Sequence, residues 1–415
     1  MSFRRIRILA LLPCLAVAAM ASAGEPVAQV RVAFDRNGIT STQVEGMADL
    51  TTGRKVTADD PVRVASISKL VTTIGVMRLV EAGKLDLDAD ISTYLGWTLR
   101  HPKFPDTPIT LRLLLSHRSS LTDAAGYYAT PLGQPLKGIL DDPNAWDDAH
   151  APGTHFRYTN LNFPLVAMAM ENVTGERFDL LMRRLVLEPL KLDACFNWES
   201  CDAATATRAV VLYRDGAPVR DENRAGKPAC AVVTEEGADC DLARWKAGEN
   251  GALFSPQGGL RISANGLAKI GRLFLGNGEV DGVRLLSSAS VDAMTAPQWT
   301  FDGGNGVTHE EDTGGGQPRA FFCRYGLAVQ TLATAHDGCG DDLFGDGVAR
   351  VGHSGDAYAL RSGLWMDRTH GTGVAYFATD AGASPPGEQS VFTRIEERLA
   401  RGIAQPEDGQ ARPEQ

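Results

Sequence analysis

Strand-patterned segments stand at both ends of this chain, with a helix-patterned block between them. Gln29 to Phe34 alternates, Arg36-Asn37-Gly38 is a turn, and Thr40 to Leu50 continues as a second strand. Tyr325 to Thr331, Leu360 to Asp367 and Thr372 to Thr379 read as strands, the last two joined by Arg368-Thr369-His370-Gly371. From Asp86 to about Gly251 helices are broken by Pro/Gly/Asp loops: Ile109 to Ser116, Phe163 to Val173 and Phe178 to Leu187 are apolar at helical spacing. The segment 196–250 is loop-rich, charged and flanked by cysteines. Gly258 to Ser263 leads into a further helix, and Ser390 to Gly402 closes the pattern. This order predicts an α+β fold. One antiparallel β-sheet is built from both chain ends and flanked by helices, and a mostly helical domain is inserted between them. The expected boundaries are 24–85 with 252–403 for the sheet domain, 86–251 for the helical domain, and 404–415 for a disordered polar tail.

The first 23 residues read as a secretory signal. Arg4, Arg5 and Arg7 are the basic start, Ile8 to Met20 are nearly all apolar, and Ala21-Ser22-Ala23 is a small-x-small cleavage pattern. The apolar run is shorter than the ~20 residues that span a bilayer, and no later stretch is long and apolar enough to do so. The expected location is secreted, in a periplasm. Losing the three leader arginines takes the formal charge from −10 to −13. That balance argues against nucleic acid or an anionic membrane surface as the main partner. Cys14 leaves with the leader, and Cys195, Cys201, Cys230, Cys240, Cys323 and Cys339 remain. An even number in an exported chain predicts disulfides, with 15 connectivities open. The local pairing 195–201, 230–240 and 323–339 is expected, because each pair closes a loop rich in Gly, Asp or Ala.

Arg63 to Gly83 is a short extended segment running into a helix, with Ile67, Leu70, Val71, Ile74, Met77 and Leu79 at helical spacing. Ser66 falls in the first turn and Lys69 follows three residues later, so both share one face. A serine hydroxyl becomes a nucleophile when a base takes its proton, and a desolvated lysine is such a base. A capping serine beside a solvated lysine is the bland alternative, and one S-x-x-K match alone does not decide between them.

Two further stretches supply partners. Tyr158 and Asn160, two apart after the turn at Pro152-Gly153, point the same way in extended backbone. A tyrosine between cations can relay a proton, and an asparagine offers an acceptor to Lys69 and a donor to substrate. In His353-Ser354-Gly355 the first and third residues share a strand face, and Gly355 admits close approach to the backbone. The N–H of Asp356 with that of Ser66 is a candidate oxyanion hole. His309-Glu310-Glu311-Asp312 and the acidic residues from Asp337 to Asp346 match no metal-ligand spacing. No metal and no cofactor are expected.

Ser-x-x-Lys, Tyr-x-Asn and His-x-Gly in this order resemble the serine β-lactamase and penicillin-binding protein superfamily. The similarity extends to Ile109 to His117, Pro152-Gly153-Thr154 and Gly258 to Ser263. It is closest in kind to the class C β-lactamase and D-alanyl-D-alanine carboxypeptidase branch, which includes esterases. The resemblance implies a β-lactamase/transpeptidase-like fold with the site where the two domains meet. It implies a serine hydrolase acting on a small-molecule or peptide substrate such as D-amino-acid peptides or β-lactams. On it, Ser66 is the acylated nucleophile, Lys69 its base or relay and Tyr158 the general acid/base. Asn160 orients Lys69 and substrate, and His353 is the third-motif hydrogen-bond donor. His117 matches a structural loop position. Many β-lactamases carry Lys-Thr-Gly where this chain has His353-Ser354-Gly355. A partly charged histidine grips a substrate carboxylate less firmly than lysine. Asp356 would also disfavour anions unless strand alternation turns it away. Both differences favour a peptidase or esterase over a β-lactamase. Arg361, early on the next strand, is a candidate to meet a substrate carboxylate, with an ordinary exposed strand arginine as the commoner alternative.

Overall fold

The computed structural model describes residues 25–309, 319–382 and 384–402. The stretch expected to be a secretory signal, the polar tail expected from 404 onward and the acidic residues 310–312 lie outside the described residues. Nine strands form one sheet, in the order Trp299–Thr300, Arg324–Tyr325, Gln330–Leu332, Arg350–Ala357, Leu360–Asp367, Thr372–Thr379, Ala28–Asp35, Ile39–Asp49 and Arg54–Lys55. Every pairing in it is antiparallel. The N-terminal strand lies beside Thr372–Thr379, with Ala28 opposite Thr379 and Asp35 opposite Thr372. Both chain ends thus build the sheet, and the α+β class holds.

Alternation decides which side chains meet which helix layer. Ala28, Val30, Val32 and Phe34 are buried while Arg31, Ala33 and Asp35 are less so. Leu364, Ala375 and Phe377 join the main core with the Ala264–Leu275 helix. That helix is capped by Ser263, which accepts from the Gly266 N–H at 3.0 Å. Trp365, Val374 and Tyr376 point to the opposite face, where they pack on Phe392, Ile395 and Leu399 of the closing segment. The closing helix is shorter than its periodicity suggests, running Arg394–Arg401. Thr393 and Glu396 form a reciprocal capping box that sets its start. Gly271 is required at one close approach, since a Cβ there would collide with the Phe34 ring.

One reading of an element needs correction. Tyr325 to Thr331 is not one strand but two short ones, Arg324–Tyr325 and Gln330–Leu332, with Ala328 between them in left-handed backbone. Phe178 to Leu187 is helical throughout but changes type, α-helical to Met182 and π-helical over Arg183–Leu187. Periodicity cannot register either, because both depend on backbone hydrogen bonds rather than on which residues are apolar. Segment 196–250 holds a short helix, Ala203–Thr207, and the hairpin Leu212–Arg214 with Ala217–Arg220. The three local disulfides 195–201, 230–240 and 323–339 are present. Among the described residues no helix is long and apolar enough to cross a membrane.

Candidate active site

The helix that follows Ser66 runs Ile67–Glu81, and 12 of its residues are buried, including polar Ser68, Lys69, Thr72 and Thr73. It is therefore covered on all sides rather than amphipathic. Its threonines satisfy themselves on carbonyls: Thr73 Oγ1 donates to Lys69 O at 2.8 Å and Thr72 Oγ1 to Pro256 O at 2.9 Å. Val62–Arg63 pairs with Leu260–Ile262, which pairs in turn with Cys195–Phe196, and this small sheet fixes the approach to Ser66. Ala65 has φ +46, an uncommon conformation for a residue with a Cβ, directly before the serine.

Ser66 makes no side-chain cap on its helix. Its Oγ instead accepts from Lys69 Nζ at 2.9 Å. Lys69 is 0% exposed and also donates to Gln257 O at 3.1 Å. The capping serine beside a solvated lysine is thereby excluded. Lys69 Nζ stands 4.8 Å from the centre of the Tyr158 ring and 5.7 Å from that of Phe163.

Tyr158 follows the strand Phe156–Arg157 and is clamped between flat rings. His117 stacks on it at 4.3 Å and Phe322 at 4.7 Å. His117 Nδ1 accepts from the Thr159 N–H at 3.0 Å, so its ring proton is on Nε2. Burial first, then the charge of Lys69, holds its pKa well below the ordinary histidine range. Asn160 is fixed by a residue the sequence did not single out. Asp123 accepts from Asn160 N–H and Nδ2, both at 2.9 Å, and from Leu161 N–H at 2.8 Å. Burial raises the Asp123 pKa, while those N–H donors and Lys69 pull it down. The sequence signal available for Asp123 was an acidic residue in a turn, which is common.

The third motif departs from its expected role. His353 is on the strand Arg350–Ala357 and is 1% exposed. Its Nδ1 stands 2.5 Å from the Ser354 carbonyl, which only accepts, so Nδ1 carries the proton. Nε2 then accepts from the Tyr325 hydroxyl at 2.7 Å. Both nitrogens are engaged inside the protein, so His353 is not a free donor to substrate. Burial, followed by Lys69, pushes its pKa down to about 3, so it is neutral rather than partly charged near neutral pH. Tyr325, distant in sequence, was not predicted.

Alternation resolves the two charges beside the motif. His353 is opposite Leu364 and Gly355 opposite Ser362, on the nucleophile-helix side of the sheet. Asp356 is opposite Arg361 and pairs with it in a salt bridge. Both line a cavity of about 160 Å³ against Phe392 and Glu396, on the face of the closing helix. Arg361 is thus committed to Asp356 and turned away from Ser66. A Cβ at Gly355 would collide with Val64 O and Ser362 Oγ, so this glycine brings the strand against the segment that delivers Ser66.

Fold and site together define the class, a half-buried serine beside a fully buried lysine at the start of a helix held against an antiparallel sheet. The chain belongs to the Beta-lactamase family, whose profile matches residues 15–394. It is 27% identical over 200 residues to the D-alanyl-D-alanine-carboxypeptidase/endopeptidase AmpH of Escherichia coli (strain K12), covering 45% of this chain and 48% of that one. It is 27% identical over 259 residues to Esterase EstB of Burkholderia gladioli, covering 58% and 63% respectively. The chain thus spans about half the length of the first relative and under two thirds of the second. A class C beta lactamase from Rhodobacter sphaeroides superposes with TM-score 0.60 at 15% identity, over 91% of this chain and 93% of that one. This last likeness concerns the fold alone.

Proposed function

We propose that this protein is an exported hydrolase that forms an acyl-enzyme at Ser66 on peptide, amide or ester substrates, in the manner of a D-alanyl-D-alanine carboxypeptidase or esterase. The observation that carries the reading is Lys69 Nζ, buried and 2.9 Å from Ser66 Oγ. In this mechanism Ser66 Oγ bonds to the substrate carbonyl carbon and its proton passes to Tyr158, or to Lys69 once Lys69 has given up its own extra proton. The N–H groups of Ser66 and Asp356 hold the oxyanion. The bond to the leaving amine or alcohol breaks as that group takes the proton back, and water then releases the acyl group. Asn160, braced by Asp123, orients Lys69 and the substrate. Neutral His353 serves as a positioning residue, holding Tyr325 beside Tyr158. The division into a sheet domain from 24–85 and 252–403 and a helical domain over 86–251 is part of this reading, with the site where they meet.

The preference for an ester or amide without a free carboxylate rests on the third motif, where neutral His353 offers no positive charge to such a group, and the carboxypeptidase side of the reading rests on the relatives. The esterase named among the relatives agrees with the former. The test is incubation with a p-nitrophenyl ester, a D-Ala-D-Ala peptide and a fluorescent penicillin, followed by intact mass. Turnover of ester or peptide with a transient adduct on Ser66 is expected. Ester turnover that is unchanged in Ser66→Ala would sink the reading. Stable penicillin labelling without turnover would make the protein a penicillin-binding sensor, and rapid penicillin hydrolysis a class C-like β-lactamase.

A further inference from the structure

Next to the nucleophile segment is a cluster of charges that the reaction does not use. Arg63 and Arg261 lie directly opposite each other on paired strands, an arrangement that repels. They are 6% and 1% exposed. Arg220 joins them through Tyr358, whose ring centre is 5.1 Å from the Arg63 guanidinium and 5.2 Å from that of Arg220. One buried carboxylate, Asp221, stands against these three cations. Its Oδ1 accepts from Arg261 Nη2 at 2.8 Å and from Trp198 Nε1 at 3.2 Å. Asp221 has φ +60, an uncommon backbone state held in place beside the cluster.

The donors outnumber the acceptors. Among the described residues Arg63 Nε and Nη1, Arg261 Nε and Asn223 Nδ2 are buried without a hydrogen-bond partner. An unpaired buried guanidinium is costly, and the two buried arginines exceed Asp221 by one positive charge, with exposed Arg220 adding a second at the rim. Burial and Arg261 push the Arg63 pKa down to about 10, which reflects the same shortage of negative charge. A cavity of about 180 Å³ is bounded by Arg220, Asp221, Asn223 and Arg261. The remaining acceptor, Asp221 Oδ2, has no partner either and repels an anion on its own side. A ligand's charge therefore belongs toward Arg220, Asn223 and Arg261, with Arg63 behind Arg261 on the paired strand.

We propose that this cavity is a binding site for a small carboxylate, reached from Arg220 and Arg261 and backed by Arg63, which stands three residues before Ser66 on the strand paired with Arg261. Guanidinium forks match a carboxylate bidentately, and the cavity has room for a few heavy atoms. The carboxylate is either the far end of the substrate's acyl group or a free anion acting as an effector. The site stands independently of whether Ser66 is acylated.

Succinate is the probe. In thermal melts of the full chain, succinate raises the midpoint saturably beyond sodium chloride of equal ionic strength. Arg63→Met and the exposed Arg220→Gln each weaken this shift, with apparent affinity falling about tenfold. If the carboxylate is carried by substrate, p-nitrophenyl hemisuccinate exceeds p-nitrophenyl butyrate in kcat/KM by about tenfold or more, and both variants erase the difference. If it is a free effector, the two esters react alike and succinate changes butyrate turnover saturably. No shift beyond the salt control, or a shift that both variants retain, overturns the proposal. Arg220→Gln alone keeps the test decisive should Arg63→Met fail to fold. Labelling of Ser66 by a fluorophosphonate reports the catalytic reading separately, so either one fails without the other.

Discussion

His353 offers the sharpest check on how this site is held. Its pKa falls from the ordinary 6.5 to about 3 because burial and Lys69 both oppose a second proton. The unfolded chain takes up that proton as pH drops through about 6.5, and the folded chain does not. Stability is therefore fully present above the unfolded value and is lost as pH falls toward the folded one. Each pH unit in that window removes about 1.4 kcal/mol, so His353 alone accounts for about 2 kcal/mol between neutral pH and about pH 5. His117 is depressed for the same reasons and adds to the loss in the same direction. Urea melts at about pH 7, 6 and 5 measure the slope in the wild type and in His353→Gln, which keeps an acceptor for Tyr325 and cannot titrate. The variant is expected to be less stable at neutral pH but to lose one proton's share of the slope. Equal slopes in the two proteins, or a His353 imidazole resonance titrating near pH 6.5 in the folded state, would refute both the burial argument and the exclusion of His353 as a cationic substrate anchor.

Four other outcomes follow from the geometry. Lys69→Met should lower ester turnover by about 10³-fold or more, and wild-type turnover in the variant would remove Lys69 from the reaction. Asp123→Ala strips the acceptor from three N–H donors and should cost about 2–4 kcal/mol in urea melts together with a fall in kcat; wild-type kcat would show that Asn160 needs no brace. Gly355→Ala forces a Cβ into the Val64 carbonyl and should reduce kcat and stability together, by about 1–3 kcal/mol in the latter. Arg361→Gln, which loses only its pairing with Asp356 on the far face, should leave kcat/KM within about threefold; a larger loss would place Arg361 near substrate after all.

Much of this molecule was written locally and could be read locally. Gln29 to Phe34 and Thr372 to Thr379 read as strands from their own residues, and the two segments proved to be neighbours in one sheet. The turn at Arg368 to Gly371, the cap at Ser263 and the three short-range disulfides depend on residues close in sequence, which composition and spacing report. Ser66 with Lys69 belongs to the same class, because a separation of three on a helix fixes their proximity before any tertiary contact forms.

Tertiary structure decided everything that depends on what a side chain meets from afar. No local signal places Asp123 on the Asn160 amide, Tyr325 on His353 or the Gln257 carbonyl on Lys69. Nor does sequence say that His353 is sealed among rings and neutral, since its charge is set by burial and by Lys69, 284 positions away along the chain. The chain by itself pointed to the pairing of Ser66 with Lys69 and to the strands around them. Their electrostatics came only with packing, because desolvation and Coulomb interaction depend on distance in space, and spacing along the sequence carries no record of that distance.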